Sequence, residues 1–149
     1  MNDFSCRTAE PEDAEEMKRL LRECRLPPGG IDPHLANFIV AKNEDGLAGI
    51  VGIEVYDSCG LLRSFAVDGA LRGKGLGSEL YRLALERAKE LGLKSLFLLT
   101  TSASGYFSKR GWTNVDRRRV PYALNASIEF RGACPVTAVC MKLDLGQAG

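Results

Sequence analysis

The stretch from Leu61 to Leu91, LLRSFAVDGALRGKGLGSELYRLALERAKEL, constrains the fold more than any other part of the chain. It opens on an apolar run, Leu61 to Val67, interrupted only by Arg63 and Ser64, which reads as a mostly buried strand. A loop from Asp68 to Lys74 follows, with Gly69, Gly73, Gly75 and Gly77 in or just after it. Beyond it Leu76, Leu80, Leu83, Ala84, Ala88 and Leu91 recur at helical steps of three and four. The first turn of such a helix leaves backbone N–H groups without intrahelical acceptors, and the macrodipole adds partial positive charge there. Glycines remove the Cβ atoms that would hold a phosphate away, and Arg72 and Lys74 add two cations. A phosphate or pyrophosphate suits this turn. An ordinary tight turn with exposed basic residues is the alternative.

Two phosphate motifs fail on spacing. Gly69-Ala-Leu-Arg-Gly73-Lys74-Gly75 is one residue short of a Walker A loop and ends in glycine rather than a hydroxyl residue. The dinucleotide fingerprint fails because Ser78 stands where the last glycine belongs after Gly73 and Gly75. The pattern that fits is [QR]-x-x-G-x-[GA], here Arg72-Gly73-Lys74-Gly75-Leu76-Gly77. It resembles the acyl-CoA pyrophosphate loop of the GNAT superfamily of acetyl-CoA-dependent N-acetyltransferases.

The remaining sequence reads as short alternating elements. Phe4 to Arg7 is a first strand. Glu10-Pro11-Glu12-Asp13 starts a helix, with Ala14, Met17, Leu20, Leu21 and Cys24 on one face and Pro27-Pro28-Gly29-Gly30 as its stop. Phe38 to Lys42 and Leu47 to Tyr56 form a hairpin. After the long helix, which ends at Leu91-Gly92, come a strand at Lys94 to Thr100, a short helix at Ala103 to Arg110 ended by Gly111, and a strand at Trp112 to Asp116. Pro121 to Ser127 is irregular or one helical turn, and Val136 to Leu145 is the closing strand. A strand–helix–strand unit implies a parallel pair with a right-handed crossover.

This order, β-α-β-β-β-α-β-α-β-β, predicts an α/β (mixed α+β) fold. It also resembles the GNAT fold over nearly the whole chain. The resemblance implies a mixed central sheet of about seven strands, helices on both faces and a splay between strands 4 and 5. A second segment supports it. Family members often carry N-x-x-A-x-x-[FY]-Y-x-x-x-G-[FY]; this chain has Thr100, Ala103, Tyr106, Phe107, Gly111 and Trp112 at that spacing, with threonine first and the aromatic pair reversed.

At 149 residues the chain is expected to be a single domain, 1–149, able to bury a substantial core. A net charge of +1 gives no electrostatic case for nucleic acid or an anionic membrane, and no apolar run approaches the length of a membrane span. Met1-Asn2-Asp3 shows no secretion signal, so a cytoplasmic location is the expectation. Five scattered cysteines (Cys6, Cys24, Cys59, Cys134 and Cys140) and one histidine, His34, give a metal site little to draw on, so no metal is expected. The cysteines read as reduced and mostly buried.

The resemblance implies acetyl-CoA as cosubstrate, its diphosphate on Arg72, Gly73, Lys74, Gly75, Leu76, Gly77 and Ser78. Its pantetheine arm would pair with the backbone of Phe65, Ala66 and Val67, and Thr100, Phe107 and Lys109 would complete the cofactor site. An amine then attacks the thioester directly. In many relatives the proton donor is the tyrosine at the position held here by Phe107, which cannot donate. Either Tyr106 takes that role, or the thiolate leaves unaided or with a proton from water. Glu54, mid-strand on a face with Ile50, Gly52 and Tyr56, is the candidate base, expected to have a raised pKa in a half-buried strand. A carboxylate on a solvated face, or one paired with Arg63, is the alternative.

Arg63 in an apolar central strand demands an anion. That anion is Glu54, or a substrate carboxylate or other oxyanion held by the guanidinium fork, and the substrate side is favoured. Ser64, Thr101, Ser102 and Arg131 could add polar contacts. Leu62-Arg63-Ser64, Leu98-Leu99-Thr100-Thr101, Lys109-Arg110-Gly111-Trp112, Ile128-Glu129-Phe130 and Cys134-Pro135 look like the acetyltransferases of arsenic-resistance operons. These are similar in turn to the amino-acid acetylating domain of N-acetylglutamate synthases. The resemblance implies a small amino-acid-like amine with an acidic group, such as a glutamate-like compound or the organoarsenical arsinothricin, as substrate. It also makes a homodimer plausible. Acetylation of a protein or peptide, or catalytically silent acyl-CoA sensing, are the rival readings.

Overall fold

The computed structural model describes residues 4–135 and 137–146. The expected signal-free start at Met1 to Asp3, and Val136 as first residue of the closing strand, lie outside the described residues. Strands and α-helices follow in the order β1 Ser5–Thr8, α1 Ala14–Glu23, β2 Phe38–Asn43, β3 Gly46–Tyr56, β4 Cys59–Val67, α2 Leu76–Glu90, β5 Ser95–Thr100, α3 Ser104–Ser108, β6 Thr113–Asn114 and β7 Val139–Asp144. That is the order read from the sequence. The strands form a seven-stranded sheet in the order β1-β2-β3-β4-β5-β7-β6. β4 and β5 are parallel, while β1–β2, β2–β3, β5–β7 and β6–β7 are antiparallel, so the sheet is mixed as expected.

By its contacts the chain gathers into two compact units, residues 1–53 with 64–87 and residues 54–63 with 88–149. In the first, Met17, Leu20 and Leu21 of α1 pack with Ile31, Phe38, Val40, Leu47, Ile50 and Ala66. The periodicity of α1 therefore does what an amphipathic helix must, burying one stripe. Its start is fixed by Asp13, whose carboxylate accepts from the Glu10 N–H at 2.8 Å and from both terminal nitrogens of Arg7 at 2.8 and 3.0 Å. These donors hold the Asp13 carboxyl well below the ordinary carboxylate range, the Arg7 bonds having the largest effect and outweighing burial.

α1 ends at Glu23, earlier than the proline–glycine stop suggests. Leu26 N–H returns to the Leu21 carbonyl at 2.8 Å and Arg25 N–H to that of Arg22 at 3.0 Å, with Arg25 at φ 60. This pair of bonds is a Schellman motif, built here on arginine instead of glycine. The same two bonds close α2 at Gly92 and α3 at Gly111, both of which the sequence marked.

In the second unit Cys59, Leu61, Phe97 and Leu124 form the core, with Tyr56, Val115, Val120 and Phe130 packed against it. The parallel ladder joins Cys59, Gly60 and Leu61 of β4 to Ser95, Leu96 and Phe97 of β5. β5 runs on to Thr100, paired with Val139 of β7, whereas Leu62 and Arg63 lie beyond the β4–β5 ladder. β6 covers only two residues of the five expected, because Trp112 is buried against Phe107 instead of entering the sheet. Among the described residues no helix is long and apolar enough to cross a membrane.

Candidate active site

In the first unit the candidate cofactor turn runs from the end of β4 into α2. Asp68 organises it: its N–H donates to the Ala48 carbonyl at 2.8 Å, its carboxylate accepts from Ala70 N–H at 3.0 Å, and its carbonyl accepts from Leu71 N–H at 2.8 Å. The chain then passes Gly73 and Gly75, both in the left-handed region at φ 83 and 85. No atom lies within 4 Å of where a Cβ would sit on either glycine, so the turn leaves open space around its backbone. Glu79 N–H closes onto the Gly75 carbonyl at 3.2 Å. The amides from Gly75 to Ser78 therefore precede the helical ladder, as at any helix start.

Arg72, Gly73, Lys74, Gly75 and Ser78 are exposed, and Gly77 is half-buried. Leu76 is buried, so it contributes a backbone amide to this turn while its side chain anchors α2 in the core. Cys24 Sγ lies 3.8 Å from the Val67 carbonyl and 3.9 Å from Arg72 Nη2. Phe65 stacks on Tyr81 at 6.4 Å between ring centroids, and Ala66 is buried. Ser64, also buried, adopts φ 59 within β4. A non-glycine residue there costs about 1–2 kcal/mol, and such strain concentrates at functional sites. These groups suit a diphosphate: open backbone, a helix start and two unburied cations.

The second unit holds a buried ionic cluster. The Arg63 side chain is fully buried, with Nη1 2.8 Å from Glu54 Oε2 and Nε 3.3 Å from Glu129 Oε2. The other oxygen of Glu54 accepts from the Tyr56 hydroxyl at 2.6 Å. Glu129 Oε1 accepts from the Cys134 thiol at 3.6 Å, and Glu129 N–H donates to Ser127 Oγ at 3.2 Å. Two sequence expectations are corrected here. Arg63 meets two carboxylates of its own chain, so the guanidinium placed on the substrate side of the cleft is instead committed within the protein. The pKa of Glu54 is lowered, not raised: burial pushes it up, but hydrogen bonds from Tyr56, Arg63 and Ser127 together with the Arg63 charge outweigh that. The Tyr56 hydroxyl is pushed strongly upward by burial and by the adjacent Glu54.

The remaining candidates lie around the end of β5. Thr100 Oγ1 accepts from Ala103 N–H at 2.9 Å and Ser102 N–H at 3.4 Å, which turns the chain into α3. Thr101, Ser102, Lys109 and Arg131 are exposed. On α3, neighbouring residues diverge as helical geometry requires. Phe107 is buried and packs edge-on against Trp112 at 5.5 Å. Tyr106 is half-buried, with the Arg110 guanidinium 3.5 Å above its ring.

Tyr56, Ser127, Glu129 and Cys134 were not among the sequence candidates for this cluster. Tyr56 shares a strand face with Glu54 and was within reach of the alternation argument. Nothing local ties Glu129 to Arg63. Among the described residues no group of three or more His, Cys, Asp or Glu side chains could hold a metal ion.

The family model described as acetyltransferase (GNAT) family matches residues 1–112. The amino-acid acetyltransferase of Pseudomonas aeruginosa is 39% identical over 119 residues, 78% of this chain and 27% of the relative. That of Ralstonia nicotianae is 31% identical over 108 residues, 66% of this chain and 23% of the relative. The chain thus spans about a quarter of the length of the curated relatives it matches. Among solved structures, N-acetylglutamate synthase from Neisseria gonorrhoeae, complexed with coenzyme A and N-acetyl-glutamate, superposes with a TM-score of 0.82 at 19% identity. The match covers 99% of this chain and 36% of that one. A GNAT family N-acetyltransferase from Escherichia coli in complex with CoA gives 0.71 at 20% identity, covering 98% of this chain and 83% of that one. With the open glycine turn at the start of α2 and the mixed sheet already described, the chain belongs to the acetyltransferase (GNAT) family.

Proposed function

We propose that this protein is an acetyl-CoA-dependent N-acetyltransferase acting on the amine of a small amino-acid-like substrate with an acidic group. A glutamate-like compound or an organoarsenical such as arsinothricin fits that description. The observation that carries the reading is the turn at Gly73 and Gly75, open to a diphosphate at the N-terminus of a 15-residue helix and flanked by Arg72 and Lys74. The similarity to amino-acid acetyltransferases supports the substrate class. Bound acetyl-CoA supplies a thioester carbonyl to an attacking amine, so that a C–N bond forms as the C–S bond breaks and the coenzyme thiol leaves.

This chain's residues divide the remaining work. Arg72, Lys74 and the amides of Gly75 to Ser78 hold the diphosphate, and the backbone of Phe65 to Val67 orients the pantetheine arm. Glu54, kept ionised at neutral pH, accepts the ammonium proton directly or through water. Tyr106 returns a proton to the thiolate. Exposed Arg131, with Ser64, Thr101 and Ser102, meets the acidic group, since Arg63 is already committed to Glu54 and Glu129.

Turnover of acetyl-CoA with acidic amino acids, arsinothricin and short peptides, read as thiol release, tests the reading. Turnover with acidic amino acids or arsinothricin supports it, and turnover with peptides alone refutes the substrate class. Calorimetric binding of coenzyme A without turnover on any amine would favour an acyl-CoA sensor. The buried Phe107, without the hydroxyl that the family resemblance leads one to expect there, is what recommends that second reading.

A further inference from the structure

The cluster around Arg63 contains one more carboxylate than the reaction uses. Glu54 and Glu129 are both buried on a single guanidinium. Were both ionised, the interior would carry an unbalanced negative charge, which one bound proton removes. Their partners differ in kind. Glu54 is surrounded by strong donors, the Tyr56 hydroxyl at 2.6 Å and Arg63 Nη1 at 2.8 Å. Glu129 has the longer contact to Arg63 Nε, 3.3 Å, and among the described residues its other oxygen accepts from a thiol, a weak donor.

The charged and titratable groups facing Glu129 are Arg63, Glu54 and Cys134, with the Arg117 guanidinium on its backbone carbonyl at 3.5 Å. Burial pushes the Glu129 carboxyl up, Arg63 opposes this and Glu54 adds to it, while the shift at Glu54 is downward. Two carboxylates pushed apart by their surroundings divide into a proton holder and an ionised partner.

We infer that Glu129 is a positioning residue: it enters the cluster as the neutral acid, fixes Arg63 through Nε, and so does not compete with Glu54 for the guanidinium charge. This rests on the proposed role of Glu54 as proton acceptor, but one arm of the test does not.

In that arm, infrared spectra at pH 7 show a protonated-carboxyl carbonyl band that Glu129→Gln removes and Glu54→Gln does not. A band absent from the wild type, or surviving in Glu129→Gln, overturns the neutral-acid assignment whether or not any amine is turned over. In the kinetic arm, Glu129→Ala lowers kcat by about tenfold or more through misplacement of Arg63. Glu129→Gln, which mimics the neutral acid, restores kcat to within about twofold with an unchanged acidic limb of the pH profile. Equal damage from alanine and glutamine, or none from alanine, overturns the positioning role. If Glu129→Ala does not fold, glutamine and the infrared band still decide the matter. Full activity in Glu54→Gln with the band behaving as expected would instead sink the proposed role of Glu54.

Discussion

Replacing Arg63 by methionine separates an interior counter-ion from a substrate anchor. The side chain is fully buried, so methionine recovers much of the apolar volume but none of the charge. Glu54 then loses the 2.8 Å charged hydrogen bond and remains buried with the neutral hydroxyls of Tyr56 and Ser127 as its donors. Breaking a buried pair in this way costs about 3–5 kcal/mol, against a total stability of roughly 5–15 kcal/mol for a domain.

The pH dependence identifies the cause. In the wild type the Glu54 pKa lies below its ordinary value of 4.5, so its contribution is fully present above that pH and is lost only as pH falls through the lower folded value. In Arg63→Met the folded pKa of Glu54 rises above the unfolded one. The variant therefore regains stability as pH falls, by up to about 1.4 kcal/mol per pH unit for the one proton. Urea titrations between pH 5 and 8 should show the gap between the two proteins narrowing toward pH 5. The double variant Arg63→Met/Glu54→Gln should recover about 2 kcal/mol or more, because no charge is left without its counter-ion. A loss below about 1 kcal/mol that does not vary with pH, accompanied by a raised KM for an acidic amine, would refute this reasoning and return Arg63 to the substrate.

Other perturbations address separate parts of the structure. Gly75→Val forces a branched residue into φ 85 and fills the open side of the turn; coenzyme A affinity measured by calorimetry should fall by about tenfold or more, equivalent to about 1.4 kcal/mol. Asp13→Asn should cost about 1.5–3 kcal/mol at pH 7 by thermal or urea melting, and the difference should shrink progressively as pH falls below the ordinary aspartate value of 3.8, where the unfolded wild type binds a proton that the folded one does not yet take up. Arg25→Gly relieves a left-handed arginine at the end of α1 and should stabilise by about 0.5–1 kcal/mol in the same assay. A thiol reagent at pH 8 should leave the buried Cys59, Cys134 and Cys140 unreacted in the folded protein, since burial pushes Cys134 up to about 12 and Cys140 to about 11; all five cysteines should react in denaturant.

The parts of this protein that the sequence discloses are those governed by local periodicity. The run Leu61 to Val67, the glycines after it and the three- and four-residue steps of α2 are short-range signals, and they recur in the structure as β4, an open turn and a 15-residue helix. The same holds for Gly92 and Gly111, which end helices through bonds spanning only a few residues. Where a local signal is absent, the reading stops short. Arg25 closes α1 with the hydrogen bonds glycine usually serves, and nothing in its neighbours announces a left-handed arginine. Ser64 is strained inside an apolar strand that reads as regular. α3 is shorter than its apolar residues suggest because Phe107 and Trp112 turn together into the core.

Arg63 shows why chemistry is harder to read than fold. Desolvation alone dictates that a cation in a central strand must find an anion, and the sequence supports that much. It cannot count the anions. Glu54 lies nine residues before it and sits on the neighbouring strand, whereas Glu129 reaches it from a π turn at Glu129–Ala133 far along the chain. A guanidinium with one carboxylate partner would have kept donors for a ligand, which is the reading the sequence favoured. Glu129 as a second partner holds the arginine, and hydrogen bonds from Tyr56, Arg63 and Ser127 with the Arg63 charge outweigh burial at Glu54, so that Glu54 stays ionised. A carboxylate so arranged is a weak base that is always available, so the acidic limb of kcat/KM should fall below pH 4.5 instead of near neutrality. An acidic limb near neutrality in the wild type would mean that some other group takes the ammonium proton.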